Sequence, residues 1–385
     1  MSDTWWVDKE ALLQEQLDVL SMNLDKDLYI SGPPGSGKTN LLLLRANHLI
    51  ITQPDAEFFI VCFTRLLTKF IRTGAGIYEF PENRIVTKQA LYESILADHG
   101  RLPLDLRELT TIQRAKKVQT AMGALMAAGV GRSSFPILFI DEAQDYSAVD
   151  LEIFRYLAEN IACAADARQG LYEEGESGHA WLQDYKWDYS VKLVHHYRTA
   201  PNLIEVSDKI MHGKLGHVPM LPTHQYTGDI TPIEVMGELS LEQQVDLLAT
   251  RISRQLDIYP NQNIGVIIPR REEHALIWEN LASVPDLLGK VTNAMDRDFD
   301  PTRPVWVATM HSAKGLEFRC VHIMAADTIA RFNAHARRLA FTGVTRAKTA
   351  LSIYHDRPLL PFFSAALAEK EAGRITLDRL FGKRK

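Results

Sequence analysis

Short, fully apolar runs separated by polar segments dominate the chain. Residues 28–30, 58–63 and 137–140 each read as a buried strand. The first runs into a glycine-rich stretch and then into Leu41-Leu42-Leu43-Leu44, the apolar lead of a helix. Strand, glycine loop and helix form the opening unit of a parallel α/β sheet. Upstream, Asp8 is placed to cap a helix through about Leu20, with Leu12, Leu13, Leu17 and Leu20 on one stripe. A further helix is predicted over 107–128. The pattern restarts near residue 190: residues 191–194, 264–268, 305–308, 321–324 and 351–354 are again apolar and rich in β-branched side chains. The expectation is an α/β protein of two successive units, 1–190 and 191–385. The first carries a small helical insertion near 92–132.

Composition narrows the class. The 385 residues are 46% hydrophobic and 24% charged, so wholesale disorder is not expected. Lys and Arg number 43 against 48 Asp and Glu, a net of -5, which argues against a surface coated in basic charge. A local basic groove remains compatible with that balance. Cys62, Cys163 and Cys320 lie far apart, which suits neither a disulfide framework nor a zinc site. A reducing, cytoplasmic compartment follows as an expectation. The first ten residues carry Asp3, Asp8 and Glu10 without an apolar core, so no secretory signal is expected there. No apolar run approaches the roughly 20 residues of a membrane helix.

Two local motifs carry chemistry. Gly32-Pro33-Pro34-Gly35-Ser36-Gly37-Lys38-Thr39 fits the spacing GxxxxGK[ST] in full. The glycines let the loop wrap so that backbone N–H groups point at phosphate oxygens, and the following helix N-terminus adds partial positive charge. Lys38 is then placed for the β- and γ-phosphates and Thr39 for Mg²⁺. Downstream, an apolar strand ends in Asp141-Glu142-Ala143-Gln144-Asp145. A buried strand does not end in adjacent carboxylates without a reason, because unpaired buried charge is costly. Asp141 suits a metal shell and Glu142 the activation of an attacking water. Asp145 reads as an acidic cap for the next helix.

GPPGSGKT at 32–39, DEAQD at 141–145, HYRT at 196–199, TMHSAKGLEF at 309–318 and RRLAFTGVTRA at 337–347 occur in that order. This series resembles the core of the superfamily 1 helicases of the UvrD/Rep-like family, over nearly the whole chain. The resemblance implies two RecA-like P-loop NTPase domains with parallel sheets and an ATP cleft between them. It implies ATP and Mg²⁺ as cofactors. It also implies movement on single-stranded DNA or a tailed duplex, with 3′→5′ polarity. By motif, Gln16 resembles the adenine-reading glutamine, Gln169 the γ-phosphate-sensing glutamine, and Tyr197 the residue that stacks on adenine. Arg198 and Arg346 resemble the two arginines that reach the γ-phosphate, and Gly315 and Glu317 match the segment that contacts the ribose. Phe63, Thr64 and Arg65, then Thr87, then Thr309 and His311, match the family's DNA-contacting segments. Read as residues alone, Gln16 also suits a solvated helix position, Phe63 the end of a buried strand, and His311 a satisfied core histidine.

The chain departs from the family in three places. Family members are often near twice this length, through two accessory insertions. Here about 50 residues separate Thr87 from Ile137 and about 33 separate Arg271 from Val305, which leaves room for one small helical insertion. The glutamine motif is followed by Tyr172-Glu173-Glu174-Gly175-Glu176 in place of an aromatic, and like charge near a phosphate backbone is unfavourable. Trp181, Tyr185 and Trp187 follow; they suit either substitute base stacking or, more commonly for aromatics this dense, core packing. The leading expectation is an ATP-dependent DNA helicase or translocase. The alternative is a nucleic-acid-sensing ATPase that acts with a partner protein, such as a nuclease, without productive unwinding.

Overall fold

The computed structural model describes residues 12–166, 178–214, 217–295 and 299–368. Two six-stranded sheets make up its frame, and every pairing between their strands is parallel. The first contains β1 (Leu28–Ser31), β2 (Phe58–Cys62), β3 (Ile85–Thr87), β4 (Phe135–Ile140), β5 (Ala158–Ala165) and β6 (Tyr189–Lys192), in the order β3-β2-β4-β5-β1-β6. The second contains β7 (Glu234–Met236), β8 (Ile264–Ile268), β9 (Val291–Asn293), β10 (Val305–Thr309), β11 (Phe318–Ile323) and β12 (Ala347–Tyr354), in the order β7-β12-β11-β8-β10-β9. Two parallel sheets in an α/β chain are the expected fold class. The apolar runs mark central strands because helices cover both faces of such a sheet. β8 is accordingly buried at all five positions.

Three local expectations need correction. The first helix begins at Gln14, with Leu13 at its cap position, and Asp8 lies outside the described residues. The run 191–194 does not open the second sheet: β6 pairs with β1 through Leu28↔Tyr189 and Ile30↔Val191, so it closes the first. β-Branched composition identifies a strand but not the edge it joins. Asp145 is not a helix cap. Ser147 caps the helix Ala148–Leu157 by accepting from the Asp150 N–H, while Asp145 is buried one turn earlier.

The insertion between β3 and β4 consists of the helices Lys88–Asp98 and Thr111–Ala127. Two of its basic side chains are occupied: Arg114 donates to Glu93 at 2.7 Å and Lys117 pairs with Asp105. Trp181 stacks on Tyr185, Tyr185 meets Trp187 edge-on, and Trp187 stacks on Tyr29 of β1 with centroids 5.3 Å apart. They cover the first sheet, as the core-packing alternative expects. Among the described residues no helix is long and apolar enough to cross a membrane.

The two halves share one continuous apolar cluster. Phe70, on the helix Arg65–Thr73 of the first half, meets Trp306 of β10 edge-on at 5.3 Å. Arg45 is the least expected member of the interior. It lies on the helix Lys38–Thr52, is fully buried, and donates to the carbonyls of Val19, Met22 and Asn23 at 2.7–2.9 Å. It thereby terminates the first helix and ties it to the phosphate loop. A buried polar group stranded without its partner costs about 1–3 kcal/mol. Arg45→Met is expected to lower stability by at least that amount, read as a shift in the urea midpoint at unchanged slope.

Candidate functional site

β1 delivers the glycine loop and β4 the acidic pair at the carboxyl edge of the first sheet. Gly37 has φ +87°, which favours glycine, and a Cβ there would stand 2.8 Å from the Gln16 amide nitrogen and displace it. The Lys38 ammonium donates to the carbonyls of Gly32 and Pro33, both at 2.9 Å, and the Ser36 hydroxyl to Pro33 at 2.8 Å. Gln16 is 3% exposed and its amide donates to the Ser36 carbonyl at 2.9 Å. Gln14, its neighbour in sequence, is exposed and bonds only within its own helix, to Asp18. Geometry therefore separates two glutamines that the sequence leaves ambiguous.

The Thr39 hydroxyl donates to Asp141 at 2.9 Å. Asp141 is 1% exposed, and burial, reinforced by Glu142, pushes its carboxyl up to about 7 despite the opposing Thr39 and Lys38. A hydroxyl and a buried carboxylate are hard oxygen donors of the kind Mg²⁺ takes beside phosphate, so these two residues fit that ion. Burial also works to raise Glu142, but the charges of Lys314, Lys38 and Arg346 outweigh it and hold Glu142 below the usual carboxylate range. Glu142 has φ 51°, which is uncommon for a non-glycine residue. Its carboxylate accepts from the Gln144 amide.

The second half closes over this loop. Arg198 donates to Glu317 at 3.2 Å, and a Cβ on Gly35 would lie 3.6 Å from Arg198 and 3.9 Å from Glu317. Burial of Glu317 is likewise outweighed, chiefly by Arg198, and its carboxyl is lowered. Arg346 is 3% exposed and donates to the carbonyls of Thr342 and Leu316, each at 3.0 Å, and to the Thr345 hydroxyl at 3.1 Å. Gly315 has φ +81° and meets Leu67 of the first half so closely that a Cβ would be 2.6 Å from it. Lys38, Thr39, Glu142, Arg198, Glu317 and Arg346 all line one cavity of about 60 Å³ between the halves. Ligand pockets usually offer roughly 300–1,000 Å³. The cavity as it stands is smaller than that range.

Not every candidate reaches that cavity. Tyr197 lies outside it, beside Glu15 of the first helix; burial and then the Glu15 charge push its hydroxyl up to about 12. Gln169 lies outside the described residues. Phe63 and His311 meet edge-on at 5.7 Å, bringing the ends of β2 and β10 together. Cys62 of β2 and Thr87 of β3 are paired in register, so Thr87 shares that edge. Arg65 is exposed there. The hydroxyls of Thr64 and Thr87 cap helices, accepting from Leu67 and Ala90, and Thr309 accepts from the Ser312 N–H.

Two lysines escaped the sequence reading. Lys348 lines the cavity two residues beyond Arg346. Lys314 is fully buried and pairs across the boundary with Asp145. In the sequence it stands among Thr309, His311, Ser312 and Glu317, and nothing local marks it as the partner of Asp145.

Residues 304–354, from just before β10 to the end of β12, match the model of the UvrD-like helicase C-terminal domain. Over that span the chain is similar to UvrD-like helicases. The matched span contains Lys314, Glu317 and Arg346. No curated protein matches the chain. Two solved structures align at low similarity. One is the C-terminal domain of a possible DNA helicase from Lactobacillus plantarum WCFS1, at 20% identity and TM-score 0.34, covering 45% of this chain and 94% of that one. The other is the PRRSV helicase, at 15% identity and TM-score 0.42, covering 88% of this chain and 54% of that one. The chain thus spans about half the length of the PRRSV helicase.

Proposed function

We propose that this chain is an ATP-driven motor that hydrolyses ATP between its two domains, divided near residue 192, and moves along single-stranded DNA in the 3′→5′ direction. The observation that carries the reading is the cavity wall. Lys38, Thr39 and Glu142 come from one half, and Arg198, Glu317 and Arg346 from the other. Phosphoryl transfer is mainly positioning and charge neutralisation, so a site split in this way makes hydrolysis depend on closure.

The roles follow from chemistry at each position. The loop from Gly32 to Gly37, with Gly35 and Ser36, presents N–H groups to phosphate, and Lys38 adds a cation. Thr39 and Asp141 would hold Mg²⁺, which would supply shielding of phosphate charge. Glu142 accepts the proton of the attacking water. Gln16 and Tyr197 take the adenine, Gly315 and Glu317 the ribose side, and Gln169 senses the γ-phosphate. Arg198 and Arg346 neutralise charge on the transferred group. Phe63, Arg65, Thr87, Thr309 and His311 form the edge that meets the strand.

A specific observation favours a second reading, that of a sensing ATPase working with a partner protein. Arg114 and Lys117 of the short insertion are ion-paired internally rather than presented to a duplex. The discriminating experiment measures ATPase activity with no nucleic acid, single-stranded DNA, RNA and duplex, alongside displacement of tailed duplexes. Stimulated hydrolysis without displacement selects the sensor; hydrolysis indifferent to every nucleic acid sinks both readings. For the motor, the salt slope is expected to be shallow, since log K falls by about 0.7 per neutralised phosphate on a single strand. Titration of single-stranded DNA at several salt concentrations checks this. Processive unwinding of long duplex by the isolated monomer is not expected.

A further inference from the structure

We propose that the outer face of the insertion is a docking site for an acidic amphipathic helix of a partner protein. The helix Thr111–Ala127 turns Val118, Met122 and Leu125 into the core of the first half. The opposite face of such a helix is ordinarily charged or polar. Here the helix carries no charged residue from Val118 to Ala127. Lys116, Thr120, Ala121 and Ala124 fall at helical spacing on that outer side. With Pro103 and Leu109 they line an open groove of about 510 Å³. Its lining runs along the helix from residue 113 to residue 124, about 17 Å at 1.5 Å per residue. Large apolar side chains stand in water beside it in the chain. Leu104, which follows Pro103, is 100% exposed, and Ile112, which precedes Gln113, is 82% exposed. Apolar surface gathered in this way marks an interaction site.

Shape and charge together select the occupant. The small side chains of Thr120, Ala121 and Ala124 let a second helix approach to the short end of the usual interaxial range, about 8–10 Å. Residues 101–132 carry Arg101, Arg107, Arg114, Lys116, Lys117 and Arg132 against Asp105 and Glu108, a net of +4 in a chain of net -5. Lys116 is exposed and has no hydrogen-bond or ion-pair partner among the described residues. The helix has no acidic residue in its first turn, so the partial positive charge of that end adds to the field. An acidic helix answers both features: its aliphatic side chains fill the groove and its carboxylates meet Lys116. A second copy of this chain would bring the same positive charge against itself. A nucleic-acid strand would find no ring to stack on, since residues 101–132 contain no Phe, Tyr or Trp. Arg114 and Lys117 are moreover already paired with Glu93 and Asp105. The groove shares no lining residue with the cavity between the halves. The proposal therefore stands apart from the ATPase reading, and it gives the sensing alternative a surface for its partner.

The probe is a displayed library of helices about four turns long, roughly 14 residues. Each has Leu, Ile, Val or Ala at one-face spacing and Asp or Glu elsewhere. A matched library with Lys in place of the acids is the control. Both are selected against the full chain, and peptides from enriched clones are titrated by fluorescence anisotropy. The acidic library is expected to enrich and the basic one not. Ala124→Arg fills the groove with a good helix former and is expected to weaken the selected peptide by about tenfold or more, the mark of a hot-spot position. Lys116→Glu is expected to slow association and flatten its salt dependence. Both positions are exposed, so thermal melts of the two variants are expected to match the parent. Failure of the acidic library to enrich, equal enrichment of both libraries, or peptides indifferent to both substitutions overturns the proposal. Two further results overturn it in favour of another occupant. One is loss of DNA binding in Lys116→Glu with the acidic peptide unaffected. The other is a concentration-dependent dimer in sedimentation that Ala124→Arg dissolves. No arm reads hydrolysis, so failure here leaves the ATPase reading as it stands.

Discussion

Replacing Arg198 with alanine is expected to lower kcat for ATP by about 10³–10⁵-fold, the contribution of an arginine finger to phosphoryl transfer. Nucleotide affinity should fall far less, because Gln16 and the phosphate loop are untouched. The expectation comes from where the side chain lies. Arg198 is on the second half, directly above Gly35 of the first, and its partner Glu317 keeps the guanidinium over the loop. Arg346 calls for a different substitution. It donates to Thr342, Leu316 and Thr345 within its own half, so alanine there removes structural bonds along with charge. Arg346→Lys keeps the charge but not the planar fork. It is expected to lose kcat with a smaller fall in Tm than Arg346→Ala. Steady-state ATPase rates, a fluorescent-nucleotide titration and a thermal melt separate these effects. Near-normal kcat in Arg198→Ala would make that arginine structural and undo the proposed pairing of the halves.

Glu142→Gln is expected to retain nucleotide yet turn over about 10²–10⁴-fold more slowly, the range lost with a general base. Lys314, Lys38 and Arg346 overcome the burial of Glu142 and keep its carboxyl below the ordinary range, so it is ionised at neutral pH and able to take a proton. Glutamine preserves the size of the side chain and an oxygen for the Gln144 amide. What is lost is therefore basicity rather than packing. Single-turnover hydrolysis measured with a binding titration checks both halves of the expectation. Full turnover by the glutamine protein would remove Glu142 from the mechanism.

Sequence pattern located some elements and passed over others for identifiable reasons. The run Ile264–Ile268 was legible because a strand covered on both faces is continuously apolar. β5, Ala158–Ala165, was not: Ala-Glu-Asn-Ile-Ala-Cys-Ala-Ala has weak strand character and alanine favours helices. The strand forms because it fills the gap between β4 and β1, pairing with both. Partnership in the sheet overrides local preference there. β6 was legible as a strand but not as a member of the first sheet, since its register with β1 is a contact between residues about 160 apart.

The sequence by itself determined the chemistry of the loop and of the strand end. GxxxxGK[ST] needs only neighbouring residues to wrap around phosphate, and an apolar strand ending in Asp141-Glu142 states its own exception to burial rules. Both are local, with all their parts within a few residues, so a linear string carries them. The meeting of the halves was decided only by the tertiary structure. It selected Gln16 over Gln14, set Arg198 above Gly35, brought Lys348 into the cavity wall, and buried Lys314 against Asp145. The physical reason is the reach of electrostatics and packing: charges and apolar faces act over a few ångströms in space, whatever their separation along the chain. Lys314 and Asp145 are 169 positions apart in the chain, yet the cost of leaving either charge unpaired inside the protein makes each the other's structural requirement.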